Sequence, residues 1–145
     1  MALPAKKLGI STTVSDTAQK YLLGLDVGNT VIKAVLFDLG GRQIAMHALD
    51  GQTSTPQPGH VERDLNELWA NAGTAISACI GAADISPQQI AAIGCAGHGN
   101  GLYLLDKGGA PLLGIQSLDT RAAAVASELA HANGDRLHAL CLQKP

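Results

Sequence analysis

Two short apolar runs joined by an acidic, glycine-bearing turn constrain this chain more than any other feature. They lie in residues 21–36, YLLGLDVGNTVIKAVL. The second run is short and rich in β-branched residues, and no helical periodicity follows the turn, so we predict strand–turn–strand. This excludes two common phosphate-binding motifs, because the P-loop and the dinucleotide fingerprint both lead from a glycine-rich loop into a helix.

The turn, Gly28-Asn29-Thr30, supports two interpretations. Successive backbone amides in a turn can form an anion-binding concavity, and a glycine lets an anion approach the backbone closely. A carboxylate at Asp26, at the end of the first strand, suits Mg²⁺, which takes one or two carboxylates together with phosphate oxygens and water. The alternative is an ordinary hairpin turn that binds nothing, and spacing alone does not separate the two.

Composition bounds the class of protein. A length of 145 residues predicts one domain. With 10 basic against 12 acidic residues, the chain has no basic excess that would indicate a nucleic acid or an anionic membrane as partner. Its longest apolar runs are too short to span a bilayer. Charged residues are only 15%, so we infer that something outside this sequence covers part of its apolar surface.

The cysteines and the first residues bear on the compartment. Three cysteines without C-x-x-C spacing favour a reducing, cytoplasmic compartment over a metal site or a disulfide framework. Residues 1–20 carry two lysines but no apolar stretch after them, so we predict a disordered leader and not a signal peptide.

A strand meander, a loop and a helix are predicted next. A turn at 38–41 leads into a third strand over 42–49, which completes a three-stranded antiparallel meander. A polar loop over the surface covers 51–63. Asp64 is the predicted N-cap of a helix that runs to about residue 81. We expect Trp69 to anchor the core and the charged cluster at 62–64 to be structural.

The apolar run at 90–96 predicts a strand covered on both faces, with Cys95 buried. Because this run follows a helix, we expect the chain to cross over onto the sheet. It ends in Gly97-His98-Gly99-Asn100-Gly101. Ligands collect beyond the carboxyl ends of strands in α/β sheets, so His98 and Asn100 could hydrogen-bond a polyol. The alternative is a flexible connector.

The remaining residues are predicted to form two strands and a helix. The strands are predicted over 102–106 and 110–113, joined by a hairpin turn at 107–109, and the helix over 122–132. Asp119 has two alternative roles: it caps this helix, or it contacts a substrate or a metal.

These elements in this order form an α/β, ribonuclease-H-like arrangement with a mixed sheet. With GLDVGNT at 24–30 on the first hairpin, it resembles the actin and sugar-kinase superfamily. Four further motifs are in register: PGHVERD at 58–64, the glycine loop, LLD at 104–106 and DTR at 119–121. Over about residues 21–133 they resemble the amino-terminal part of the FGGY carbohydrate kinases, and residues 98–106 are most similar to the L-xylulose kinase branch.

The resemblance implies ATP and Mg²⁺ as cofactors and a sugar substrate, a ketopentose such as a xylulose. It implies that Asp26 serves the metal and phosphate site. The implied contacts to the nucleotide phosphates come from Asp26, Gly28, Asn29, Thr30, Val31 and Lys33. Those implied for the sugar come from His98, Gly99, Asn100 and Asp119.

The resemblance also implies that the catalytic aspartate lies beyond residue 145, so no catalytic residue is assigned within this chain. We expect residues 21–145 to be an incomplete amino-terminal domain whose partner is a missing carboxyl-terminal kinase domain. We therefore expect the polypeptide alone to be inactive. The alternative is a non-catalytic remnant or a sugar-binding module. The oligomeric state stays open, a homo-oligomer included.

Overall fold

The computed structural model describes residues 19–142 and contains two sheets and two α-helices. The predicted leader lies outside the described residues, apart from Gln19 and Lys20. The elements are β1 (Tyr21–Val27), β2 (Val31–Asp38), β3 (Gln43–Asp50), β4 (Glu62–Arg63), α1 (Leu65–Ala82), β5 (Ile90–Gly97), β6 (Leu102–Leu105), β7 (Pro111–Ile115) and α2 (Ala123–Cys141).

The larger sheet has the strand order β3-β2-β1-β5. Its first three strands pair antiparallel, and β5 then pairs parallel with β1. The predicted meander and its crossover to a parallel strand are therefore confirmed. In consequence β1, the strand that carries Asp26, is paired on both of its edges.

One face of this sheet forms the core with α1. Alternate side chains along β1 and β2 point to this face, as the two-residue period of a strand requires. Asp64 caps the helix as predicted, because its Oδ1 accepts hydrogen bonds from the amides of Asn66 (2.7 Å) and Glu67 (3.1 Å). The buried apolar residues are Tyr21, Leu23, Ile32, Ala34, Leu36, Ala72, Ala75 and Cys79.

Two expectations about the core are wrong. Trp69 is 82% exposed, because α1 packs through the small residues Ala72, Ala75 and Cys79 and the indole lies at the margin of that stripe. In β5, Ile93 is 56% exposed and Cys95 is exposed. That strand lies at the end of the sheet beside β1 alone, while α1 covers β2 and β3.

The smaller sheet, in the order β4-β7-β6, was only partly predicted. Its hairpin of β6 and β7 was expected. The segment 51–63, expected to be a loop throughout, ends in β4, which pairs with β7. A bridge between Ser54 and Glu62 and a hydrogen bond from the Gln116 amide to the Val61 carbonyl (2.9 Å) attach the segment further. The loop is therefore fixed against the strand that precedes Ser117.

The last helix, α2, continues past the predicted end at residue 132, because Gly134 does not interrupt it. None of its residues is buried. No helix within residues 19–142 is long and apolar enough to cross a membrane.

Candidate functional site

Three segments meet at the carboxyl ends of the parallel strands β1 and β5. Val27 at the end of β1 has Gly97 at the end of β5 as its register partner, so the turn 28–30 and the glycine loop leave the sheet side by side. Asn29 Nδ2 donates to Ser117 Oγ at 3.0 Å, which attaches the segment after β7 to the same turn. This edge of a parallel pair is where α/β sheets bind ligands.

Asp26 and Lys33 lie side by side near this edge. They are register partners on β1 and β2 and lie on the face opposite α1. Asp26 is exposed and accepts no hydrogen bond and forms no ion pair within the described part of the chain. Both residues line a recess of about 280 Å³ with a mainly apolar floor. The other residues of its wall are Gly24, Leu25, Val35, Phe37, Gly94, Cys95 and Ala96.

The turn between β1 and β2 is held from within the protein. The Gly28 amide donates to the Val31 carbonyl at 3.0 Å, and a Cβ on Gly28 would lie 2.9 Å from that oxygen, so the turn requires glycine. The Thr30 carbonyl accepts from the Gly51 amide at 2.7 Å. Among residues 19–142, the amides of Asn29 and Thr30 donate to no acceptor. They are therefore available to an anion.

The buried guanidinium of Arg63 lies behind this turn. It donates from Nη1 to the Gly28 carbonyl (2.9 Å), from Nη2 to the Asn29 carbonyl and from Nε to the Gln52 carbonyl (3.2 Å). The residue is 5% exposed. Sequence reasoning gave it a structural role within the charged cluster 62–64. It missed the contact to the turn, because nothing in the local spacing signals a partner 34 residues away.

His98 is tied to the scaffold through both ring nitrogens. Nδ1 lies 3.3 Å from the Val27 carbonyl, which can only accept, so Nδ1 carries the proton. Nε2 is then free to accept the hydroxyl hydrogen of Tyr103, whose ring packs edge to face against the imidazole with centroids 5.4 Å apart. Burial raises the pKa of Tyr103, and the positive charge of Arg63 acts in the opposite direction. In this conformation His98 orients the glycine loop.

Asn100 lies at the tip of that loop and is exposed. Its backbone adopts φ +63°, a left-handed conformation that asparagine tolerates better than most residues. Gly99 beside it has open space where a side chain would be. The predicted sugar-contact residues of this loop therefore divide into an anchored histidine and an exposed Gly99–Asn100 pair.

Asp119 lies in a closed ionic network. Its carboxylate accepts from Arg121 Nη2 at 2.7 Å, from Arg121 Nε and from the Val61 amide at 2.7 Å, and its side chain is 4% exposed. The same guanidinium binds Glu62 at 2.6 Å. Hydrogen bonds from Arg121 hold the pKa of Asp119 well below its usual range, and the carboxylates raise the pKa of Arg121. Helix α2 begins after Ala122 without a side-chain cap, so Asp119 does not cap it. A ligand contact by Asp119, which stays a prediction, would require this network to open.

The residues present suit Mg²⁺ held mainly by phosphate and water. Among residues 19–142, no three His, Cys, Asp or Glu side chains cluster into a metal cage. Asp26 offers a single exposed carboxylate, which has no competing partner in the described part of the chain. One carboxylate together with substrate oxygens is a common Mg²⁺ arrangement, so Asp26 fits that metal.

Comparison with known proteins matches this chain to carbohydrate kinases. The family model described as the N-terminal domain of the FGGY family of carbohydrate kinases matches residues 21–141. A probable L-xylulose kinase of Pasteurella multocida is 42% identical over 103 residues, which are 70% of this chain and 21% of that protein. The L-xylulose/3-keto-L-gulonate kinase of Escherichia coli is 42% identical over 104 residues, 71% of this chain and 21% of that protein.

A solved structure supports the fold. The xylulose kinase of Rhodospirillum rubrum superposes with a TM-score of 0.74 at 28% identity, over 83% of this chain and 25% of that one. The predicted ribonuclease-H-like fold of the sugar-kinase superfamily is confirmed. The chain spans about a fifth of the length of the curated relatives it matches.

Proposed function

Because this chain belongs to the FGGY family of carbohydrate kinases, we propose that it is the amino-terminal part of an ATP-dependent kinase for a ketopentose such as a xylulose. One observation carries the proposal. At the end of β1, a carboxylate and two turn amides that have no partner within residues 19–142 lie together with a glycine loop, at the edge where such sheets bind ligands.

The phosphate half of the site comes from the first hairpin. The amides of Asn29 and Thr30 offer hydrogen bonds to phosphate oxygens, and Gly28 keeps the turn tight beside Val31. Lys33 adds a positive charge on the face of Asp26. In phosphoryl transfer such groups act by positioning and by offsetting charge. Asp26 would hold Mg²⁺, which neutralises charge on the transferred phosphate when bound.

The sugar half comes from the glycine loop. Gly99 and Asn100 are exposed, so backbone and amide groups can reach sugar hydroxyls. His98 holds the loop against the end of β1. The two curated relatives described above are named for L-xylulose, and one of them also for 3-keto-L-gulonate. This supports a ketose as the substrate class.

In this proposal residues 21–145 form an incomplete domain, and the catalytic aspartate belongs to a carboxyl-terminal domain. Removing a general base typically costs a factor of about 10²–10⁴ in rate. Losing the domain that closes over the substrate removes alignment as well. The chain by itself is thus inactive. Its cysteines within the described range are free thiols, which suits a cytoplasmic setting.

A chimera tests the proposal. Residues 21–141 replace the matching segment of the E. coli L-xylulose/3-keto-L-gulonate kinase, and ADP release is followed with L-xylulose and with 3-keto-L-gulonate. We expect turnover that needs both ATP and sugar. Asp26→Asn should lower it at least about 100-fold, because the metal and phosphate contact is lost.

Asp84→Asn is the matched control, since it neutralises a second exposed aspartate, in the loop after α1, and should leave turnover unchanged. The 145-residue chain alone should release no ADP. Full activity of the Asp26 variant would refute the phosphate role. A folded but inactive chimera, together with sugar binding by the chain, would favour the sugar-binding module.

A further inference from the structure

Arg63 is a buried cation whose partners among residues 19–142 are all neutral. They are the carbonyl oxygens of Gly28, Asn29 and Gln52. Within the described ranges no carboxylate lies within ion-pair distance of it, and the neighbouring Glu62 binds Arg121 instead. Burying a charge without an opposite charge is costly. A positive charge without a neutralising carboxylate among the described residues therefore lies next to the turn, on the side of its carbonyl groups.

The guanidinium also fixes the direction of two peptide groups. In a trans peptide the C=O and the following N–H point to opposite sides, and no peptide within residues 19–142 is cis. Since Arg63 binds the carbonyls of Gly28 and Asn29, the amides of Asn29 and Thr30 point away from it. A carbonyl that accepts from a cation is polarised, which makes the N–H of the same peptide a stronger donor.

We propose that Arg63 is a positioning residue, whose guanidinium aims the amides of Asn29 and Thr30 at a phosphate oxygen of a bound nucleoside di- or triphosphate. The inference rests on the proposed function and adds to it the residue that creates the anion site. The planar fork explains why arginine stands here, since a lysine ammonium cannot reach three carbonyls in this fixed geometry. Gly51 leaves the space for it, because a Cβ there would lie 2.6 Å from Arg63 Nη2 and 3.1 Å from the Asn29 carbonyl.

The test uses the 145-residue chain, labelled with ¹⁵N and titrated with sodium pyrophosphate. We expect saturable shifts of the Asn29 and Thr30 amide signals. The amides of Gly40 and Gly41 serve as an internal reference, because they form a second hairpin turn whose hydrogen bonds are internal. They should not respond.

Two variants then separate positioning from support of the fold. Arg63→Lys keeps the charge and loses the fork, and Gly51→Ala keeps the arginine and displaces it. Each should weaken pyrophosphate binding about tenfold, while the amide signals of His98 and Tyr103 in the neighbouring loop keep their positions. Gly73→Ala is the matched control, since its new Cβ meets no atom within 4 Å.

Each outcome decides the matter. Folded Arg63→Lys and Gly51→Ala proteins that bind pyrophosphate like the unaltered chain would overturn the positioning role. If Arg63→Lys does not unfold cooperatively, the pyrophosphate binding of the Gly51→Ala protein decides between the two outcomes. If both unfold, the two turns of the unaltered chain decide: equal responses at 29–30 and 40–41 overturn the inference. Turnover of the chimera is measured separately, so an inactive chimera with a normal titration contradicts the proposed function and not the role of Arg63.

Discussion

Two kinds of hairpin turn occur in this fold, and they differ in which backbone groups are satisfied. In the turn after β2, Asp38 Oδ1 accepts from the amides of Gly40 (3.0 Å) and Arg42 (2.9 Å). The turn after β6 repeats this, with Asp106 Oδ1 accepting from Gly108 and Ala110, both at 2.8 Å. Both turns are closed by a carboxylate of their own.

The turn after β1 has the opposite arrangement. Its carbonyls are bound by the distant cation Arg63, and its amides at Asn29 and Thr30 are left open. A carboxylate closes a turn by taking up its amides, whereas a guanidinium opens one by taking up its carbonyls. From this difference we expect the turn after β1 to bind an anion and the turns after β2 and β6 not to bind one.

The largest expected effect comes from removing the cation. Arg63→Ala leaves three carbonyls without their donor, and a buried unsatisfied group costs about 1–3 kcal/mol. We expect the free energy of unfolding in urea to fall by about 3 kcal/mol. Arg42→Ala, at the closed turn after β2, is the counterpart. Its side chain is 75% exposed, so we expect a far smaller loss. Equal losses would contradict the distinction between the turns.

A middle-sized effect tests whether the two closed turns are equivalent. Gly41 and Gly109 adopt φ +84° and +86°, and a Cβ on either would meet nothing within 4 Å. Alanine at either position therefore costs only backbone strain, about 1 kcal/mol. Asparagine, which tolerates this conformation, should cost less. Thermal unfolding of the alanine and asparagine variants at both positions measures this loss of stability. A loss at one position twice as large as the loss at the other would show that the turns are not equivalent.

The smallest effect is a pH dependence at the turn after β2. The amide and the guanidinium of Arg42 hold the pKa of Asp38 below its usual value. A pKa that is lower in the folded state stabilises the protein above the unfolded-state pKa, about 3.9. That stabilisation is lost as the pH falls through the folded-state value.

The unaltered chain should therefore lose its advantage in unfolding free energy over Asp38→Asn as the pH is lowered from 5 to 2. A constant difference across that range would contradict the assignment. Subtracting the two proteins removes the contribution of Asp119, whose pKa is also lowered.

Local patterns predicted the elements that depend on local chemistry. The hairpin at Asp26, the Asp64 cap and the meander follow from β-branched runs, capping residues and turn glycines, and all three are confirmed. The parallel pairing of β1 and β5 brings the turn and the glycine loop together at one edge of the sheet, and no local pattern predicted this convergence.

The failures depend on packing that no local pattern encodes. The apolar run at 90–96 predicts burial on both faces, yet Ile93 and Cys95 are exposed because β5 is the outer strand. Trp69 has helical spacing with the core residues and still lies outside the contact made by Ala72 and Ala75. The role of Arg63 depends on two chain segments more than thirty residues apart, so it could be found only in three dimensions.

The central position of β1 also has a consequence for how the chain folds. Its antiparallel neighbour β2 follows within a few residues, whereas its parallel neighbour pairs Leu23 with Ile93, 70 residues further on. Contacts of low sequence separation form first in general, since distant pairing must first close a long loop. The meander and α1 can therefore condense before β5 docks. We therefore expect the turn at 28–30 and the glycine loop to become neighbours only in that late step, which pulsed hydrogen exchange would register as later protection in β5 than in β2.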